Sequence, residues 1–278
     1  MTDKQVAEYW LKFLADRFRQ KIQTSDYYLS YSGGKDSHFL LWFIKEYLGN
    51  TDIEIVGANT GFEIPEIRRR ITQNSDVVVH PIMHRDKVKE QYGIPCFSKL
   101  QDEYIHRYQT GNRSENTMKA INGENVMFNL NRKARELLLS GKLHKVSNKC
   151  CEYMKKRPMK QYEKRSGRKP IIGVRGSESG LRKSQYETCV QSNGSFTPIY
   201  DMSDDLMEMI YDLWQIPIPS CYQYLSRTGC AGCPYGRNTE TELSLLPDIQ
   251  RKSITGYFKE SYDVLGVDYR NIQMTLSL

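Results

Sequence analysis

Apolar residues recur at three- and four-residue steps through Val6, Tyr9, Trp10, Phe13, Leu14, Phe18 and Ile22, which predicts an amphipathic opening helix. An apolar and aromatic run over 26–31 predicts a short strand. Gly33-Gly34 interrupts it, and 36–48 reads as a helix ending at Gly49-Asn50. A second strand is expected over 53–58. Pro65 opens a further helix at its first turn, where a missing N–H costs nothing. The valines within 76–80 mark a third strand. Strands and helices alternating in this way predict an α/β fold with a doubly wound, mostly parallel sheet and right-handed crossovers.

The pattern changes in the middle of the chain. Residues 104–123 are polar and contain Thr110-Gly111-Asn112-Arg113-Ser114, read as a loop joining helices, and 130–140 is helical in composition. The basic run over 155–169 is expected to be broken by Pro158 and Gly167. A fourth strand is expected over 170–174, an amphipathic helix over 204–214 and a last helix across 248–265. The organisation that follows is an N-terminal helix (1–25), an α/β domain (26–237) with a helical insertion at about 97–147, and a helical tail (238–278).

Hydrophobic residues make up 39% of the 278 positions and charged ones 26%, an ordinary balance for a globular protein. The longest apolar run, 39–44, is too short to span a bilayer, and no signal-peptide core opens the chain. A cytoplasmic protein without a membrane partner is therefore expected. In a reducing compartment, seven cysteines point to metal binding or redox chemistry rather than disulfides. The net charge of +7 calls for an anionic partner. Nucleotide phosphates account for part of it, and nucleic acid is a further candidate.

Ser32-Gly33-Gly34-Lys35-Asp36-Ser37 lies between a predicted strand and a predicted helix. Such a turn aims unpaired backbone N–H groups at one point, and the helix start adds partial positive charge. Glycines allow close approach of an anion, the serines add hydroxyls and Lys35 adds a mobile cation. Asp36 would repel a phosphate, so it is expected to hold Mg²⁺ or to cap the helix. The segment lacks the spacing of the kinase-type P-loop.

It matches the S-G-G-x-D-S signature of PP-loop nucleotide enzymes. Three further motifs follow in order: Asn59-Thr60-Gly61-Phe62-Glu63-Ile64-Pro65-Glu66; Cys150-Cys151 with Lys155; and Gly173-Val174-Arg175-Gly176-Ser177-Glu178-Ser179-Gly180-Leu181-Arg182. Cys230-Ala231-Gly232-Cys233-Pro234 completes the set. Together they resemble the phosphoadenosine phosphosulfate (PAPS) reductase family of PP-loop, adenine nucleotide alpha hydrolase-like proteins, over about 27–237. The resemblance implies a Rossmann-like PP-loop domain with a C-terminal cysteine-bearing extension. It also implies nucleotide binding by Ser32 to Ser37, with Asn59, Thr60 and Gly61 at the adenosine and Arg175, Glu178 and Arg182 at the phosphate or sulfate. Guanidinium groups grip such oxyanions bidentately. Lys35, Asp36, Arg175 and Arg182 are the expected catalytic residues.

Cys150, Cys151, Cys230 and Cys233 offer four thiolates, which suit zinc or a [4Fe–4S] cluster. Adjacent cysteines fit one tetrahedral ion awkwardly, and the resemblance to the cluster-bearing branch favours iron–sulfur. Cys96, Cys189 and Cys221 are expected as buried small hydrophobes, Cys221 being also a spare ligand.

Sulfonucleotide reductases carry a nucleophilic cysteine in a C-terminal tail, whereas no cysteine follows Cys233 here. The expected activity is accordingly ATP pyrophosphatase or adenylation coupled to sulfur transfer, with Mg²⁺ and ATP, and thioredoxin is not an expected partner. Alternatives are a PAPS or adenylyl-sulfate reductase using Cys221, and a nucleotide-responsive iron–sulfur regulator or nucleic-acid-binding protein; nucleic acid or a sulfur-donor protein is a further candidate partner. The pattern is reminiscent of reductase-like proteins of phages and mobile elements and of the iron–sulfur PP-loop enzymes of DNA phosphorothioation.

Overall fold

Four strands, Tyr27–Tyr31 (β1), Glu54–Ala58 (β2), Val77–Val79 (β3) and Lys169–Ile172 (β4), form one all-parallel sheet in the order β3-β2-β1-β4. The computed structural model describes residues 1–21, 24–50, 52–176 and 188–272. Helices Asp3–Lys21 (α1), Lys35–Trp42 (α2), Pro65–Asn74 (α3) and Arg85–Tyr92 (α4) come first. Lys99–Gln109 (α5), Glu115–Asn122 (α6), Arg132–Leu139 (α7), Lys149–Cys151 (α8) and Arg157–Ser166 (α9) follow. Asp204–Leu213 (α10), Thr239–Ser244 (α11) and Asp248–Leu265 (α12) come last.

The chain divides into two compact units. One comprises Met1–Asn59, Glu66–Val79 and Met159–Gln223; the other comprises Thr60–Pro65, His80–Pro158 and Tyr224–Leu278.

In the first unit, alternate residues of β1 serve opposite layers. Leu29 and Tyr31 join Ile55 and Ile171 in a core with Leu11, Leu14 and Phe18 of α1, Phe39 and Leu40 of α2, and Ile210 of α10. Tyr28 and Val56 face the other way, onto Tyr162 and Met159 of α9. The Tyr28 and Tyr162 rings meet edge to face at 4.9 Å. Burial on both faces explains why β1 carries apolar residues on both, rather than alternating with polar ones. The strand order reverses between β1 and β4, and open α/β sheets present their binding crevice where the order reverses, at the carboxyl ends of the strands.

The second unit is largely helical, with a core of Cys96, Ile105, Ile121, Leu130, Ala134, Leu138 and Val146. The expected loop over 110–114 does join two helices, α5 and α6, although α5 extends through 104–109. One expectation fails. Pro158 does not break the basic run, because it sits in α9 just after a π-helical turn, Glu152–Lys156. A wider turn accommodates a residue that lacks the N–H and crowds the preceding carbonyl. Among the described residues no helix is long and apolar enough to cross a membrane.

Candidate functional site

The loop after β1 is built by glycine and serine. Gly33 has φ +73°, and a Cβ there would fall 2.9 Å from the Ile67 carbonyl oxygen, so both backbone and space require glycine. Gly34 takes ordinary extended backbone (φ −79°) as the N-cap of α2. The Ser37 hydroxyl donates to the Gly34 carbonyl at 3.0 Å and accepts from the Ser32 N–H at 3.2 Å. The Ser32 and Ser37 hydroxyls are themselves 3.0 Å apart. Strand end, loop and first helical turn are thus tied into one piece.

The other residues come from afar in sequence. Gly173, just beyond β4, lies so near the first turn of α2 that a Cβ would sit 2.9 Å from the Asp36 carbonyl carbon and oxygen. Arg175 follows and is only 2% exposed. Its Nε donates to Asp36 Oδ1 at 2.9 Å, and its Nη1 donates to Asp204 at the start of α10. Burial lowers the Arg175 pKa, but Asp36 and Asp204 outweigh it and hold the pKa above its ordinary value. Asp36 therefore serves as a counter-ion to Arg175. Asp204 was not singled out from the sequence, and its signal there is only that of an acidic residue in a helix's first turn.

Two tyrosines clasp Lys35. The Tyr211 hydroxyl donates to the Lys35 carbonyl at 2.6 Å, and the Lys35 N–H donates to the Tyr222 hydroxyl at 2.9 Å. Tyr222 rides on a short 3₁₀ turn, Ser220–Gln223, whose Ser220 N–H, Ser220 hydroxyl and Cys221 N–H all donate to the Glu66 carboxylate. Tyr31 and His38 share a hydrogen bond of 3.1 Å, and burial, aided by nearby Arg70, pushes His38 down to about 4. Cys221 is fully buried, and burial followed by Glu66 pushes its thiol up to about 12. Glu178 and Arg182, with Ser177, Ser179, Gly180 and Leu181 of the same motif, lie outside the described residues.

The remaining candidates assemble in the second unit. Thr60 and Gly61 are occupied locally: both N–H groups and the Thr60 hydroxyl donate to Glu63, at 2.6 to 3.2 Å. The Thr60 hydroxyl also lies 3.8 Å from Cys230 Sγ, and the Ala231 N–H donates to the Phe62 carbonyl at 2.7 Å. This motif thereby docks the C-x-x-C loop. The Asn59 N–H, in the first unit, donates to the Val79 carbonyl at 3.0 Å beside the sheet.

The C-x-x-C loop itself is tightly made. Gly232 has φ +69°, its N–H donates to Glu242 at 2.9 Å, and the Tyr262 hydroxyl donates to its carbonyl. A Cβ at Gly232 would meet Leu243 at 2.7 Å and the Tyr262 hydroxyl at 2.8 Å. The four thiols share one electrostatic neighbourhood. Burial, then Cys230 and Cys151, raises Cys150; burial, then Cys230, Cys151 and Cys150, raises Cys233. Burial and Glu63 push Cys230 up to about 12, against the pull of Lys155. Among the described residues no three His, Cys, Asp or Glu side chains are arranged as a metal-ion site. Clustered thiols that oppose each other's ionisation, Cys150 buried and Cys151, Cys230 and Cys233 half-buried, are nonetheless a donor set that a cation would relieve, so their chemistry fits a thiolate-bound metal group. Of the other cysteines, Cys96 and Cys221 are buried as expected, and Cys189 is half-buried.

No protein-family model matches the chain, and no curated protein matches it.

Proposed function

We propose that this chain is a PP-loop adenine-nucleotide enzyme of the PAPS-reductase type, performing ATP pyrophosphatase or adenylation chemistry coupled to sulfur transfer. The observation that carries the reading is the loop Ser32 to Ser37. It is a glycine-dependent turn at the carboxyl end of β1, beside the reversal of strand order, with a helix start behind it. Backbone N–H groups, two serine hydroxyls and the Lys35 ammonium supply donors for a polyphosphate. Arg175, paired with Asp36 and Asp204, sits at the base of the same turn and, through Asp36, fixes the start of α2. Asp36 being so engaged, Mg²⁺ enters with ATP, held chiefly by phosphate oxygens. In this reading a substrate oxygen attacks the α-phosphorus and pyrophosphate leaves. Lys35 and Arg175, joined by Arg182, position the phosphates and offset the charge that builds on the leaving group.

Cys150, Cys151, Cys230 and Cys233 would hold the metal group, and the Cys-Cys pair favours [4Fe–4S] over zinc. Such a group supplies sulfur delivery or activation when bound. The chain's own contribution there is to gather the thiols in a partly desolvated cluster, fix the Cys230–Cys233 loop through Glu242 and Tyr262, and place Lys155 near Cys230. Reductase chemistry through Cys221 gains no support, since a buried thiol held protonated is a poor nucleophile.

Anaerobically purified protein is expected to release pyrophosphate from ATP in the presence of a nucleic-acid or thiol acceptor. Lys35→Ala should slow the release roughly 100-fold, the scale of losing one transition-state charge contact. Absence of pyrophosphate with every acceptor class would reject the assignment.

A further inference from the structure

The amide that a phosphate would need first is already taken. Lys35 is the first residue of α2, so its N–H is one of the orphan donors of the helix start and points where an anion in the loop would sit. That N–H donates to the Tyr222 hydroxyl at 2.9 Å, and the Lys35 ammonium lies 5.9 Å from the centre of the same ring. A phenol oxygen at a helix start is a neutral counterpart of a phosphate oxygen: a partly negative acceptor in the positive end of the dipole. Tyr222 is not there by drift. Its turn is pinned from below by three hydrogen bonds to Glu66 on the first turn of α3, two of them at 2.8 Å and one at 3.2 Å. The Tyr222 N–H also closes the turn on the Pro219 carbonyl at 3.1 Å.

We infer that Tyr222 is an internal competitor for the phosphate loop, its hydroxyl occupying the Lys35 amide until a polyphosphate displaces it. The inference rests on the phosphate-loop reading above, and adds that the loop is held closed on itself by a strap hinged at Glu66. Two further donors at the loop are engaged internally as well, the Ser32 N–H by Ser37 and Arg175 by Asp36 and Asp204. Ligand entry therefore means exchanging protein partners for phosphate oxygens, with Tyr222 the one that must leave the helix start. Tyr211 differs. Its hydroxyl donates to the Lys35 carbonyl, on the side of the peptide that a phosphate does not use.

Inorganic pyrophosphate and MgATP are the probes, titrated calorimetrically into wild type, Tyr222→Phe, Glu66→Gln and Tyr211→Phe. Tyr222→Phe keeps the ring and deletes only the competing oxygen. It should bind pyrophosphate about three- to ten-fold more tightly, the span of one net hydrogen bond. Glu66→Gln loosens the strap and should shift affinity in the same direction by a smaller factor. Tyr211→Phe should not tighten binding. Equal or weaker pyrophosphate binding by both Tyr222→Phe and Glu66→Gln, with wild type still binding, overturns the competitor and leaves the phosphate loop standing. If wild type and all variants bind neither pyrophosphate nor MgATP, the phosphate-loop reading itself falls and the competitor with it.

Discussion

Asp102 and His38 are both buried ionisable side chains, and burial drives their pKa values in opposite directions. Asp102 is fully buried and accepts from the Cys96 N–H at 2.6 Å, the Phe97 N–H at 3.0 Å and the Tyr235 hydroxyl at 2.6 Å. Burial outweighs these bonds and raises it from 3.8 to about 6. A raised acid favours the folded state below its unfolded pKa, and that contribution is lost as pH climbs through about 6. His38 goes from 6.5 down to about 4, so its contribution is present above 6.5 and lost as pH falls through about 4. Each spans on the order of 2–3 kcal/mol over nearly the same window, and within this pair the two slopes oppose each other. Measured against the wild-type profile, Asp102→Asn should turn the slope between pH 4 and 6.5 upward and His38→Gln should turn it downward, with Glu242, which burial raises from 4.5 to about 7, contributing equally to all three proteins. Urea unfolding followed across that range checks both signs, and two variants that keep the wild-type profile would refute the assignment. Neither group was legible from the sequence as a titrating residue, because what shifts each is burial, and burial is decided by tertiary packing.

At the scale of the element, the strands and the loop between β1 and α2 were readable because their causes are local. Period, glycine placement and a proline at a first turn act over a few residues, and β1, β2, α3 and α12 fall close to where these predict them. What the sequence concealed are the long-range clasps. Arg175 meets Asp204 29 positions on, Lys35 meets Tyr222 187 positions on, and Thr60 meets Cys230 170 positions on. The Asn59-Thr60-Gly61 motif is expected at the adenosine, and within it Thr60 and Gly61 donate to Glu63 while the Thr60 oxygen also meets the cysteine loop. Gly173 shows how a contact of this kind can still leave a trace. Its φ is unexceptional, so turn chemistry does not demand glycine there, but the first turn of α2 leaves no room for a Cβ. Gly173→Ala would push the Asp36 backbone away by several tenths of an ångström and cost about 1–3 kcal/mol, as overpacking in a tight core does. The same shift should weaken pyrophosphate binding at the loop. Thermal unfolding together with calorimetry checks the pair, and loss of stability with binding unchanged would detach Gly173 from the site.

Across the whole molecule, each unit holds one candidate chemistry assembled from separate stretches of chain. The proposed phosphate loop draws on 32–37, 173–175, 204–211 and 220–222; the thiols come from 150–151 and 230–233. A cation that joined the thiols would cross-link two stretches about 80 residues apart, closing a long loop in the folded chain at little extra entropic cost per added residue. Binding restricted to the folded form stabilises it by an amount that grows with the logarithm of concentration over dissociation constant, about 4 kcal/mol when the group is present at a thousand times its dissociation constant. Anaerobic reconstitution with ferrous iron and sulfide should therefore raise the melting temperature and add iron and acid-labile sulfide. Cys150→Ser and Cys233→Ser should abolish both effects. Cys96→Ala is the informative control, since Cys96 is buried like Cys150 but packs with Ile105 and Val146 rather than with the other thiols. It should lower stability by a cavity-sized amount, roughly 1–2 kcal/mol, while leaving iron uptake intact. Iron uptake that survives Cys150→Ser and Cys233→Ser, or that Cys96→Ala alone removes, would assign the metal group to other ligands and leave the four thiols a packing role.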